Sequence, residues 1–230
     1  MRFYPRTLAW YFVYLVAGVL SAWAQEVDVT RIPGNPGWQV TNDAVLSVAT
    51  VKGRTALLVA QGPGKVAGAG GDRLVILRDA EFTNGEIEFD VLGSAQVAQD
   101  SFVGIVFRVD LAHGRYDSVY LRPFNFRAKD PVQLAHAVQY ISVPDWPWDR
   151  LRKEHPGVYE QPVPATLDGD NWVHVRVVVQ RPLVRVFLGQ AAEPSLAVTE
   201  LSDRSGGQVG LFAVGGQPAY FANLRITRQP

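Results

Sequence analysis

From residue 86 the chain alternates carboxylates with apolar side chains, Glu86-Ile87-Glu88-Phe89-Asp90-Val91. Successive side chains of a strand face opposite sides, so this stretch predicts a half-buried β-strand with its acids on one face and Ile87, Phe89 and Val91 on the other. Segments biased toward β-branched and aromatic residues follow at 102–109, 118–122, 135–141, 172–180 and 184–188. Further strands are predicted at 45–51, 55–60, 73–77, 208–214 and 219–227, which brings the total to ten or more. Turn residues separate them, as in Thr83-Asn84-Gly85, Asp168-Gly169-Asp170-Asn171, Ser205-Gly206-Gly207 and Gly215-Gly216. After the first 24 residues no stretch keeps a helical period for three turns. Many short strands without intervening helices predict an all-β sandwich or barrel.

One segment breaks the regularity. Residues 143–164 contain Pro144, Pro147, Pro156, Pro162 and Pro164 together with Trp146 and Trp148. Proline cannot donate to a central strand's ladder, so this segment is expected to be a long loop laid over the sandwich. Its tryptophans are either loop anchors or stacking surfaces for a sugar ring, with Trp146 the stronger ligand candidate.

The amino terminus carries Arg2 and Arg6, then the apolar run Leu8–Leu20, then Ala22 and Ala24 ahead of Gln25. That order matches an export leader over residues 1–24, with residues 25–230 as a single mature domain in a periplasmic or extracellular location. The apolar run is shorter than the roughly 20 residues that cross a bilayer, so no membrane association is expected once the leader is removed. The chain has no cysteine, and a domain of this length has core enough to dispense with disulfides. The 22 basic and 22 acidic residues balance, which argues against a nucleic acid partner.

Two segments, Trp172-Val173-His174-Val175-Arg176-Val177 and Arg185-Val186-Phe187-Leu188-Gly189, resemble the paired strands of laminin G-like and concanavalin A-like jelly rolls. Gly207-Gln208-Val209-Gly210-Leu211-Phe212, Tyr220-Phe221-Ala222-Asn223-Leu224-Arg225-Ile226 and Phe102-Val103-Gly104-Ile105-Val106-Phe107-Arg108 are similar to strands of bacterial 3-keto-disaccharide hydrolase domains. The resemblance runs from about Trp38 to Thr227. It implies a two-sheet antiparallel β-sandwich of the concanavalin A-like jelly-roll type. Most matched positions are packing residues, which report architecture and leave chemistry open.

Two constellations carry candidate chemistry. The row Glu86, Glu88, Asp90 resembles the catalytic strand of family-16 glycoside hydrolases, although the order here is Glu, Glu, Asp where that family has Glu, Asp, Glu. A retaining pair needs carboxyl groups roughly 5 Å apart, whereas neighbours at i and i+2 of a flat strand are about 6.6 Å apart. A solvated strand face accounts for the same residues without catalysis. In the second constellation Tyr120 and Arg122 share a strand face, Arg108 is phased to join them, and Gln139 adds an amide. Planar guanidiniums beside an aromatic ring form a platform for a sugar or a sugar carboxylate. Ordinary pairing with acids of neighbouring strands is the alternative.

The four histidines, at 113, 136, 155 and 174, lack metal-ligand spacing. No metal site and no cofactor are expected, and no nucleophile elbow or P-loop is present. The leading expectation is an exported jelly roll that binds an oligo- or polysaccharide through Arg108, Tyr120, Arg122, Gln139 and Trp146. One alternative is a glycoside-cleaving enzyme, either a hydrolase using Glu88 and Asp90 or a 3-keto-glucoside-type eliminating enzyme using Arg122. A second alternative is a laminin G-like protein-interaction module. The carbohydrate readings require Glu88, Arg108 and Arg122 to open onto one hollow.

Overall fold

The computed structural model describes residues 23–63, 71–96 and 101–229, so residues 1–22 of the expected leader lie outside it. The strands in chain order are β1 (Trp23–Val27), β2 (Trp38–Val40), β3 (Ala44–Val51), β4 (Arg54–Gln61), β5 (Arg73–Leu77), β6 (Asn84–Leu92), β7 (Phe102–Asp110) and β8 (Arg115–Leu121). They continue as β9 (Val138–Val143), β10 (Glu160–Gln161), β11 (Val173–Gln180), β12 (Leu183–Leu188), β13 (Leu196–Thr199), β14 (Gln208–Val214) and β15 (Ala219–Gln229). Two short helices, α1 (Pro131–Ala135) and α2 (Trp148–Glu154), lie between β8 and β10.

The strands form the expected two antiparallel sheets. An eight-stranded sheet has the order β13-β12-β11-β6-β15-β4-β3, with β1 added alongside β15, and a seven-stranded sheet has the order β10-β9-β8-β7-β14-β5-β2. Both sheets drive their alternate apolar side chains into one cluster. Ile87, Phe89, Val91, Val175 and Val177 come from the first sheet, and Val103, Ile105, Val119, Leu121 and Leu211 from the second. Each such side chain contributes on the order of 1.5–3 kcal/mol when fully buried, which explains how the sandwich stands without disulfides.

Two expectations need correction. The strand expected at 135–141 is displaced to 138–143 because α1 precedes it. Asp130 caps that helix by accepting from the Val132 N–H at 2.9 Å, and Pro131 occupies a position where its missing N–H costs nothing. The segment expected to be a bare loop contains α2 and β10. In α2, Leu151 is buried, Arg150 and Glu154 pair at 3.0 Å one turn apart, and Arg152 and Lys153 occupy the last turn where cations favour the helix dipole.

Candidate ligand-binding site

The carboxylates and the arginines are on different sheets. Glu86, Glu88 and Asp90 belong to β6 of the eight-stranded sheet, whereas Arg108 lies in β7 and Arg122 follows β8 in the seven-stranded sheet. The shared hollow required of Glu88, Arg108 and Arg122 is therefore absent, and the sugar site expected across those three residues falls with it; any site must be built on one row alone.

The acid row is held by cations of its own sheet. Arg176 meets Glu86 at 3.2 Å, and Arg225 approaches Glu88 at 3.8 Å. Asp90 accepts from Arg54, from Asn223 at 2.6 Å, and pairs with Nδ1 of His174 at 2.9 Å. Burial, with a contribution from Glu86, pushes the Glu88 carboxyl above the usual range. An open depression of about 660 Å³ borders Glu88, Asp90, His174 and Arg225.

Arg108 departs from its expected face because β7 bulges there. The pairing register of β7 shifts after Phe107 relative to β8, and Arg108 has φ of 52°. The extra residue breaks the alternation that would have carried Arg108 outward. Its side chain is fully buried, donating to Glu200 at 2.6 Å and to the Ser205 carbonyl, with Asp117 at 4.0 Å. Trp146 is also an anchor: half-buried against the core, it forms an isolated bridge with Ser142 and sets its ring 5.4 Å from that of His155.

Tyr120, Arg122 and Gln139 do come together. The Tyr120 hydroxyl donates to Oε1 of Gln139 at 3.1 Å, and Arg122 donates to that same oxygen and to the Tyr120 hydroxyl at 3.0 Å. A further Arg122 nitrogen donates to the His136 carbonyl at 2.9 Å. Burial pushes Tyr120 up to about 12 and holds Arg122 below the usual guanidinium value. The Tyr120 ring stacks on Phe212 at 5.3 Å across the intervening strand. The residue of that strand between them is Gly104, where a Cβ would lie 2.1 Å from the Val119 carbonyl oxygen.

Above this floor opens a recess of about 320 Å³ lined by Phe102, Arg122, Phe124, Asn125, Gln133, His136, Trp148 and Arg152. The irregular segment after β8 and the helices α1 and α2 supply most of that lining. Gly169 secures the segment from behind, because a Cβ there would lie 2.1 Å from the Pro123 carbonyl oxygen. Trp148 is 47% exposed and carries Arg152 over its ring at 4.8 Å. Glu160 grips Arg152 through two bonds of 3.0 and 2.8 Å and lies 3.2 Å from His136. Burial lowers the His136 imidazole, with Glu160 opposing.

Asn125, Gln133 and His136 were not singled out from sequence, and Trp148 was ranked below Trp146. Asp130-Pro131, a capping residue followed by a proline at the first helical position, is the sequence signal that could have revealed α1. Among the described residues no group of three or more metal-ligating side chains comes together, and no helix is long and apolar enough to cross a membrane.

No protein-family model matches the sequence, and no curated protein matches it. Solved structures do match. A CBM66 carbohydrate-binding module from Bacillus subtilis aligns with 83% of this chain and 95% of its own, at 15% identity and a TM-score of 0.54. A β-glucanase of Bacillus licheniformis aligns over 91% and 98% respectively, at 11% identity and a TM-score of 0.55. A β-1,3-1,4-glucanase (lichenase) derived from a mouse hindgut metagenome aligns over 91% and 100%, at 9% identity and a TM-score of 0.56. At these identities the likeness establishes the fold, a concanavalin A-like jelly roll, and gives the laminin G-like alternative no support.

Proposed function

We propose that this protein binds a carbohydrate in the recess between Trp148 and Arg122. The observation that carries the reading is the lining itself: an exposed indole and two further aromatic rings surround two guanidiniums and two amides, with Arg122 held by Tyr120 and Gln139 of the sheet beneath. Sugar rings present an apolar face for stacking and hydroxyls for hydrogen bonding, and such a recess offers a partner to each. The likeness to a carbohydrate-binding module and to glucanases supports the same class of ligand. Arg108 and Trp146 drop out of the proposed site, whereas Tyr120, Arg122 and Gln139 remain. The leader-like residues 1–24 support export, with the ligand met in a periplasm or outside the cell.

Calorimetry or affinity electrophoresis against soluble and polymeric glycans tests this reading. At least one glycan should bind, and Trp148→Ala should weaken that binding about tenfold while the melting temperature holds, because the indole is exposed. Absence of binding to every glycan, alongside capture of a protein partner, would replace it with an interaction module.

Glycoside cleavage is the second reading, and one observation favours it. The Glu88 carboxyl, raised by burial, borders the 660 Å³ depression beside Asp90, two residues on along the same strand. Against it stand the three partners that engage Asp90. Product assays on Glu88→Gln decide: a cleaving enzyme loses at least a hundredfold in turnover, and equal turnover removes Glu88 from the chemistry.

A further inference from the structure

Arg122 is 5% exposed, yet all its protein partners are neutral: a carbonyl, a phenol and an amide oxygen. Among the described residues no carboxylate forms a salt bridge with it. A buried cation is normally matched by an anion, because removing a charge from water is costly unless something of opposite sign replaces the solvent. Glu160 lies nearby but is already spent on Arg152 and His136. No carboxylate appears in the lining, which holds both guanidiniums.

The hydrogen-bond inventory points the same way. A guanidinium has five N–H donors, and Arg122 uses one on Nη1 and two on Nη2, leaving one on Nε and one on Nη1 without a protein acceptor among the described residues. The amide nitrogen of Gln139, fully buried beside it, also finds no acceptor there. The floor is thus rich in donors and short of acceptors. A neutral sugar hydroxyl accepts one such bond without cancelling the charge, whereas a carboxylate accepts a pair and supplies the missing anion.

We infer that the recess selects an acidic sugar, with the carboxylate of a uronic acid residue seated on Arg122 and the sugar ring against Trp148. This inference rests on the carbohydrate reading of the same recess and narrows its ligand. Arg152 reinforces it from the rim, where its charge is largely matched by Glu160.

Calorimetric titration with galacturonate oligomers, the corresponding neutral galactose oligomers and a sulfated neutral oligosaccharide tests the inference. Acidic oligomers should bind about tenfold or more tightly than neutral ones, and carboxylated more tightly than sulfated. Arg122→Gln, checked for a cooperative melt, should erase the preference. Arg152→Gln serves as the second variant should Arg122→Gln fail to fold, and should reduce the preference. Equal binding of acidic and neutral oligomers, both lost in Trp148→Ala, overturns the acidic-sugar inference and leaves the carbohydrate site standing. Stronger binding of the sulfated oligomer overturns the carboxylate assignment. Binding of citrate without binding of any oligomer overturns the carbohydrate reading and keeps the anion site.

Discussion

The Asp117 carboxylate has no contact with solvent and meets Ser142 at 2.7 Å, Tyr140 at 3.2 Å and Arg204 at 2.8 Å. Burial outweighs those partners and raises it from 3.8 to about 6. The folded state therefore holds this proton more tightly than the unfolded chain. Its contribution to stability is complete below about pH 4 and is lost as pH rises through about 6, on the order of 2–3 kcal/mol. Urea denaturation of wild type and Asp117→Asn at pH 4 and pH 7.5 should show the wild type losing that much relative to the variant. A constant difference would mean that the arginines hold Asp117 ionised throughout. The same cluster shows why Arg108 was unreadable in sequence. Alternation assigned it to the surface, and only a bulge, which leaves no mark in the residue pattern, turns it toward Asp117 and Glu200.

At the scale of elements, the floor of the recess depends on how closely β7 lets its neighbours approach. A Cβ at residue 104 would lie 2.1 Å from the Val119 carbonyl oxygen and 2.6 Å from the Tyr120 Cα, both backbone atoms that cannot swing aside. Gly104→Ala should cost about 2–3 kcal/mol in a thermal or urea melt and weaken ligand binding by displacing Tyr120 beneath Arg122. An unchanged melt would show that the strands part without loss. Strands such as β6 and β11 were legible because half-buried sheets impose a period of two. The short helices went unseen: α1 and α2 are too brief for periodicity, and only the cap of α1 and the charge placement in α2 could have revealed them.

At the scale of the whole molecule, the layered architecture was legible in sequence, but the sugar site was made to depend on both polar rows opening onto one hollow. Period-two patterning tells which residues leave the core and says nothing about which sheet they leave from. The pairing of β6 with β11 and β15, and of β8 with β7 and β9, comes from contacts far apart in the chain. Tyr120, Arg122 and Gln139 survived as a group because Arg122 follows Tyr120 by two residues at the end of β8 and Gln139 lies directly opposite Tyr120.

β15, the last strand in the order, is an interior member of its sheet, with β6 along one flank and β4 followed by β1 along the other. Without residues 219–229 β6 would keep an open edge and β1 would have no mate, so this layer closes only once they are available. A layer sealed by so late a strand depends on pairings of long sequence separation, which form slowly.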